Sequence, residues 1–168
     1  MEQENKKVVT VFLTRYHSTF SDFIYYATGR GYTHASIAID DENEYYYSFN
    51  IKGFRKEYPK RHKRRDKKSI IYRLSVSADS YEKIVKRIQE IDQNKEKFHY
   101  SRLGVLLCLL HIPARFKNRY FCSQFVTELL QLTGEIELDK SASLYLPNEL
   151  PALLERQQCL CGIVWDSV

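Results

Sequence analysis

A chain of 168 residues with 43% hydrophobic and 28% charged residues has enough apolar material for a packed core, which excludes a disordered polymer. The simplest division is one domain over residues 1–168. The net charge of +5 is concentrated between Lys52 and Lys68, which excludes a basic character spread over the whole protein.

In chain order, Val8 to Thr14 is apolar and β-branched and predicts a buried strand. Ser18-Thr19-Phe20-Ser21-Asp22 offers helix-capping residues. Phe20, Phe23, Ile24 and Ala27 follow at helical spacing, and Gly29 and Gly31 stop the helix. Thr33 to Asp40 alternates as a second strand, with His34, Ser36, Ala38 and Asp40 on one face and Ala35, Ile37 and Ile39 on the other. Asp40-Asp41-Glu42-Asn43 reads as a turn into a tyrosine-rich third strand, Glu44 to Phe49, so the two strands form a hairpin. Residues 51–68 carry charge with little apolar periodicity.

Strand character returns from Ser69 to Leu74. Asp79 and Glu82 fit a capping box. Tyr81, Ile84, Val85, Ile88 and Ile91 then make a helical stripe to about Gln93. Ser101 to His111 predicts a buried helix stopped by Pro113. Cys122 to Thr133 predicts another, with Gly134 as its cap. Pro147 opens a short helix to Arg156, and Leu160 to Trp165 reads as a closing strand. The order implies an α+β class, an antiparallel sheet with helices packed against it.

The four cysteines are Cys108, Cys122, Cys159 and Cys161, and none lies in the first hundred residues. Met1-Glu2-Gln3-Glu4-Asn5-Lys6-Lys7 lacks the apolar region of a signal peptide, and no run approaches the ~18 apolar residues of a membrane span. The expectation is a cytoplasmic protein with free thiols and no transmembrane segment.

Cys122 stands at a predicted helix start, where unpaired N–H groups and the helix dipole favour a thiolate. A thiol with a pKa of roughly 8.5 needs a base or a cationic partner, and an imidazole on a strand, His34, can supply it. The residues alone also fit a plainer description: Cys122 as a small core residue and His34 as a hydrogen-bonded strand histidine. His99 and His17 are alternative bases, although neither lies on a strand with a matching motif.

Thr33-His34-Ala35-Ser36-Ile37-Ala38-Ile39 and Tyr120-Phe121-Cys122-Ser123-Gln124-Phe125-Val126 resemble the permuted branch of the NlpC/P60 papain-like superfamily. That branch includes the YiiX/YaeF-type amidase-like proteins and is related to lecithin:retinol acyltransferases. Other papain-like enzymes place cysteine before histidine; in the permuted branch the histidine strand comes first, as His34 and Cys122 do here. The resemblance covers roughly residues 8 to 150. It implies a circularly permuted papain-like domain, catalysis by Cys122 and His34, no cofactor, and a small amide, peptide or lipid-linked substrate. It also implies a third, polar residue on the next strand to orient His34. Pairing about the Asp41–Asn43 turn puts Ser48, Phe49 or Asn50 there, and Ser48 is the match by position. Serine cannot stabilise imidazolium by charge, so Asn50 or a backbone carbonyl stays open as the third member.

The competing class is a non-catalytic binding protein of the same fold that holds an anionic partner with segment 52–68. Its basic residues are Lys52, Arg55, Lys56, Lys60, Arg61, Lys63, Arg64, Arg65, Lys67 and Lys68. Phe54 and Tyr58 are too few for a stacking platform, which argues against nucleic acid. No metal site is expected: Cys159-x-Cys161 lacks the two-residue spacer, and Cys108 with His111 fits core plus helix end.

Overall fold

The structure, a computed structural model, describes residues 5–15, 18–29, 31–39, 44–58 and 68–166. In chain order these form β1 (Lys7–Thr14), α1 (Thr19–Ala27), β2 (His34–Ala38), β3 (Tyr46–Asn50), β4 (Gly53–Glu57) and β5 (Ser69–Val76). Then come α2 (Ala78–Gln93), β6 (His99–Tyr100), α3 (Arg102–Leu109), β7 (Arg119–Tyr120), α4 (Cys122–Gln131), α5 (Leu150–Glu155) and β8 (Leu160–Asp166).

β1 is an inner strand because it is buried on both faces from Val9 to Thr14. It pairs antiparallel with β2 and with β5, in a six-stranded sheet of order β4-β3-β2-β1-β5-β8. Every neighbouring pair in that sheet is antiparallel. The fold is therefore α+β, with five α-helices among the described residues.

Alternation along the strands sends Val9, Val11, Leu13, Ala35, Ile37, Ile70, Tyr72 and Leu74 into one core. That core is closed by Ile84, Ile88 and Ile91 of α2, by Phe125, Val126, Leu129 and Leu130 of α4, and by Leu150, Leu153 and Leu154 of α5. A second cluster joins Ile24 of α1 to Val105 and Cys108 of α3, with Phe121 and Leu146. On the reverse of the sheet Phe12, Ala38 and Tyr46 make a small third cluster.

Three expectations are corrected in detail. Part of segment 51–68 is strand: β4 pairs with β3 through Phe49↔Phe54 and Asn50↔Gly53. The tight turn is held by Asn50 Oδ1, which accepts the Lys52 N–H at 2.9 Å, and by Gly53 at φ 92. Strong charge hides this strand, whose one buried apolar side chain is Phe54. Second, α2 begins at Ser77, whose hydroxyl accepts the Ser80 N–H at 3.2 Å, so Asp79 lies in the first turn and pairs with Lys83 at 2.7 Å. Third, α3 ends at Leu109, because the chain turns left-handed at His111 (φ 57). The Asp41–Asn43 turn and Lys60, Arg61, Lys63, Arg64, Arg65 and Lys67 lie outside the described residues. Among the described residues no helix is long and apolar enough to cross a membrane.

Candidate active site

His34 opens β2, opposite Thr14 of β1, and is 7% exposed. Glu57 closes β4, the outermost strand on that side of the sheet. The β3–β4 register sets Glu57 against Tyr46 and Ser48 against Arg55, so Glu57 and Ser48 share a face of the hairpin. Glu57 Oε2 lies 3.0 Å from His34 Nε2, and the His34 and Glu57 side chains are only 9% and 11% exposed. Ser48 Oγ donates to the other carboxylate oxygen, Oε1, at 2.6 Å.

The Cys122 thiol lies within interaction range of the same imidazole. Burial pushes the His34 pKa down, but the Glu57 carboxylate and the hydrogen bond to Cys122 outweigh it, and the pKa stands well above the ordinary histidine value. An imidazolium is thus favoured beside the Glu57 carboxylate and within reach of the Cys122 thiol.

Cys122 is held there by the two residues before it. Tyr120 packs into the main core, 5.1 Å ring to ring from Phe49, and its hydroxyl accepts from Arg87 Nη2 at 3.0 Å. Phe121 goes the other way, into the cluster between α1 and α3. The sequence Tyr-Phe therefore pins the start of α4 from both sides. Phe121 is the N-cap residue and no side chain caps the helix, which leaves the first-turn N–H groups open to an anion.

Burial, with Glu149 nearby, pushes Cys108 up to about 12. Burial also raises Cys159, and Cys161 is exposed. Tyr100 borders the site; burial and then Cys122 raise its pKa, while Arg102 draws it down.

No protein-family model matches this chain, and neither does any curated protein.

The structure thus brings His34 and Cys122 together and places Ser48 beside them through Glu57. The group on the imidazole is a carboxylate that sequence reasoning passed over. Ser48, expected as the orienting residue, holds that carboxylate, and Asn50 serves the hairpin turn. Glu57 was hidden among lysines and arginines. The signal for it was Phe49-Asn50-Ile51-Lys52-Gly53-Phe54, two aromatics bracketing an Asn and a Gly at hairpin spacing. His99 is an exposed residue of β6, and His17 lies outside the described residues. Among the described residues no group of three or more His, Cys, Asp or Glu side chains could hold a metal.

Proposed function

We propose that this chain is a cysteine hydrolase or acyltransferase of the permuted NlpC/P60 papain-like type, acting on an amide or ester. The observation that carries the reading is the buried relay Ser48–Glu57–His34–Cys122 ending at an uncapped helix start. Glu57 supplies the charge that a serine alone lacks, so the third member is a carboxylate rather than Ser48.

The chemistry follows from these groups. The Cys122 thiolate attacks the carbonyl carbon, and the electron pair of the C=O bond moves to oxygen. Open N–H groups at the start of α4, including that of Cys122, donate to this oxyanion. As the oxyanion collapses, the C–N or C–O bond breaks and His34 gives its proton to the leaving amine or alcohol. Neutral His34 then takes a proton from water or an acceptor amine or alcohol, which attacks the thioester. The C–S bond breaks and the thiolate–imidazolium pair is restored. Water as acceptor makes a hydrolase; an amine or alcohol makes an acyltransferase. No step uses a cofactor.

The test is thiol reactivity mapped by mass spectrometry. With iodoacetamide at pH 6, Cys122 should react faster than exposed Cys161 and far faster than Cys108. His34→Ala should slow Cys122 alone, and turnover of a cognate substrate should fall on the order of 10²–10⁴-fold. A Cys122 rate no greater than that of Cys161, and unmoved by His34→Ala, would leave the non-catalytic binding protein as the better reading.

A further inference from the structure

A cleft of ≈ 630 Å³ lies between the β3–β4 turn, β6 and the start of α3. Its walls carry Lys52, His99, Arg102 and Arg119, interspersed with Ile51, Leu103 and Phe116, and no carboxylate among the described residues lines it. None of the four basic side chains takes part in an ion pair with another described residue. In a chain with 21 acidic residues, a concave surface with that lining concentrates unbalanced positive potential.

The cleft is linked to the candidate nucleophile through β7 and Tyr100. Arg119 and Tyr120 form β7, and Cys122 follows two residues later. Tyr100 pairs with Tyr120 across the β6–β7 ladder. Tyr100 is itself a wall of the cleft and feels the charges of both Cys122 and Arg102. The cleft is held in shape from below: Gly53 comes so close to Phe98 that a Cβ there would lie 3.1 Å from the Phe98 carbonyl oxygen. At the start of α3, Ser101 Oγ accepts the Gly104 N–H at 3.0 Å and fixes the direction in which Arg102 leaves the helix.

We propose that this cleft is a substrate subsite for an anionic group, a carboxylate or phosphate carried on the acyl donor beside its scissile carbonyl. The two guanidinium groups suit the paired oxygens of either anion. Ile51, Leu103 and Phe116 accept the apolar part that carries it. The inference rests on the catalytic reading of Cys122 and narrows its substrate to an acidic amide or ester.

Two thiol reagents of opposite charge and similar reach test it. 2-Sulfonatoethyl methanethiosulfonate should modify Cys122 on the order of tenfold faster than the trimethylammonioethyl reagent. The double variant Arg102→Gln/Arg119→Gln should bring that ratio close to one, each rate being taken relative to the same variant's iodoacetamide rate. Independently, inorganic phosphate should shift the backbone amide resonances of Tyr100, Ser101 and Arg119 saturably in wild type and in Cys122→Ala, and not in the double variant. A fast Cys122 with no charge preference and no saturable phosphate shift overturns the subsite and leaves the catalytic reading standing. A Cys122 no faster than Cys161 overturns the catalytic reading, and with it the cleft's role as a substrate subsite, whatever phosphate does.

Discussion

Glu57→Gln keeps the shape of the group on His34 and removes its charge. Without the carboxylate, burial is the larger influence on the imidazole, and its pKa falls. Cys122 then loses its cationic partner, and its iodoacetamide rate at pH 6 should drop about tenfold, since nearby opposite charge is worth a pK unit or more. The same pair makes stability depend on pH. A histidine whose folded pKa is raised contributes stability that is fully present below its unfolded value, about 6.5, and is lost as pH rises through the folded value. The wild type should therefore exceed Glu57→Gln by about 1.5–3 kcal/mol near pH 6, the range for a charge-assisted hydrogen bond, and the gap should narrow in alkali. Urea denaturation from pH 6 to 9 measures it; a gap constant across that range would show that His34 stays neutral. Ser48→Ala should have a smaller effect in the same direction, because it frees the carboxylate to turn without removing its charge.

Hairpin β3–β4 and helix α4 carry the candidate site, and each is positioned by local chemistry that can be broken separately. Gly53 has φ 92 and no room above it, since a Cβ would meet the Phe98 carbonyl at 3.1 Å. Gly53→Ala should cost about 1–2 kcal/mol for the left-handed backbone alone. It should also displace β4, and with it Glu57, so Cys122 alkylation slows. Gly29 is a matched control: its φ is 79, and nothing lies within 4 Å of an added Cβ. Gly29→Ala should show a similar loss in thermal denaturation with an unchanged alkylation rate. If both variants slow alkylation equally, the effect belongs to global stability and not to the hairpin. In α4, Phe125 is 1% exposed and packs against Phe49, Phe54 and Tyr120. Phe125→Ala should cost about 3–5 kcal/mol through the cavity it leaves, read as a lower urea midpoint at constant slope.

Over the whole molecule, the sheet is built from both ends of the described chain. β1 comes first and lies inside; β8 comes last and covers the edge of β5. Tyr72 and Leu74 of β5 are fully buried partly because β8 is there. Removing residues 160–168 should open the N–H and C=O groups of β5 and invite pairing between chains. The expected result is a lower melting temperature and oligomers in size-exclusion chromatography. A monomer with the wild-type melting temperature would mean that the other strands suffice.

The antiparallel α+β class and, among the described residues, the five α-helices and five of the six strands of the large sheet were legible in the chain, because period-2 and period-3.6 apolar patterns and Ser, Gly and Pro punctuation are local properties. So was the candidate Cys122, since a helix start announces itself in sequence. β4 was not legible, because its lysine and arginine side chains mask a strand defined by one buried aromatic and a turn. Nor was Glu57: its role comes from lying on the strand beyond Ser48, close enough to reach His34 at 3.0 Å. By itself the sequence determined which segments could bury an apolar face and which thiol stood at a helix N-terminus. Only the tertiary structure decided that the thiol, the imidazole and the carboxylate share one buried site, and that a cleft lined by Lys52, His99, Arg102 and Arg119 opens beside it. Those contacts join residues far apart in the chain, and their geometry follows from strand register and sheet order, which no local pattern encodes.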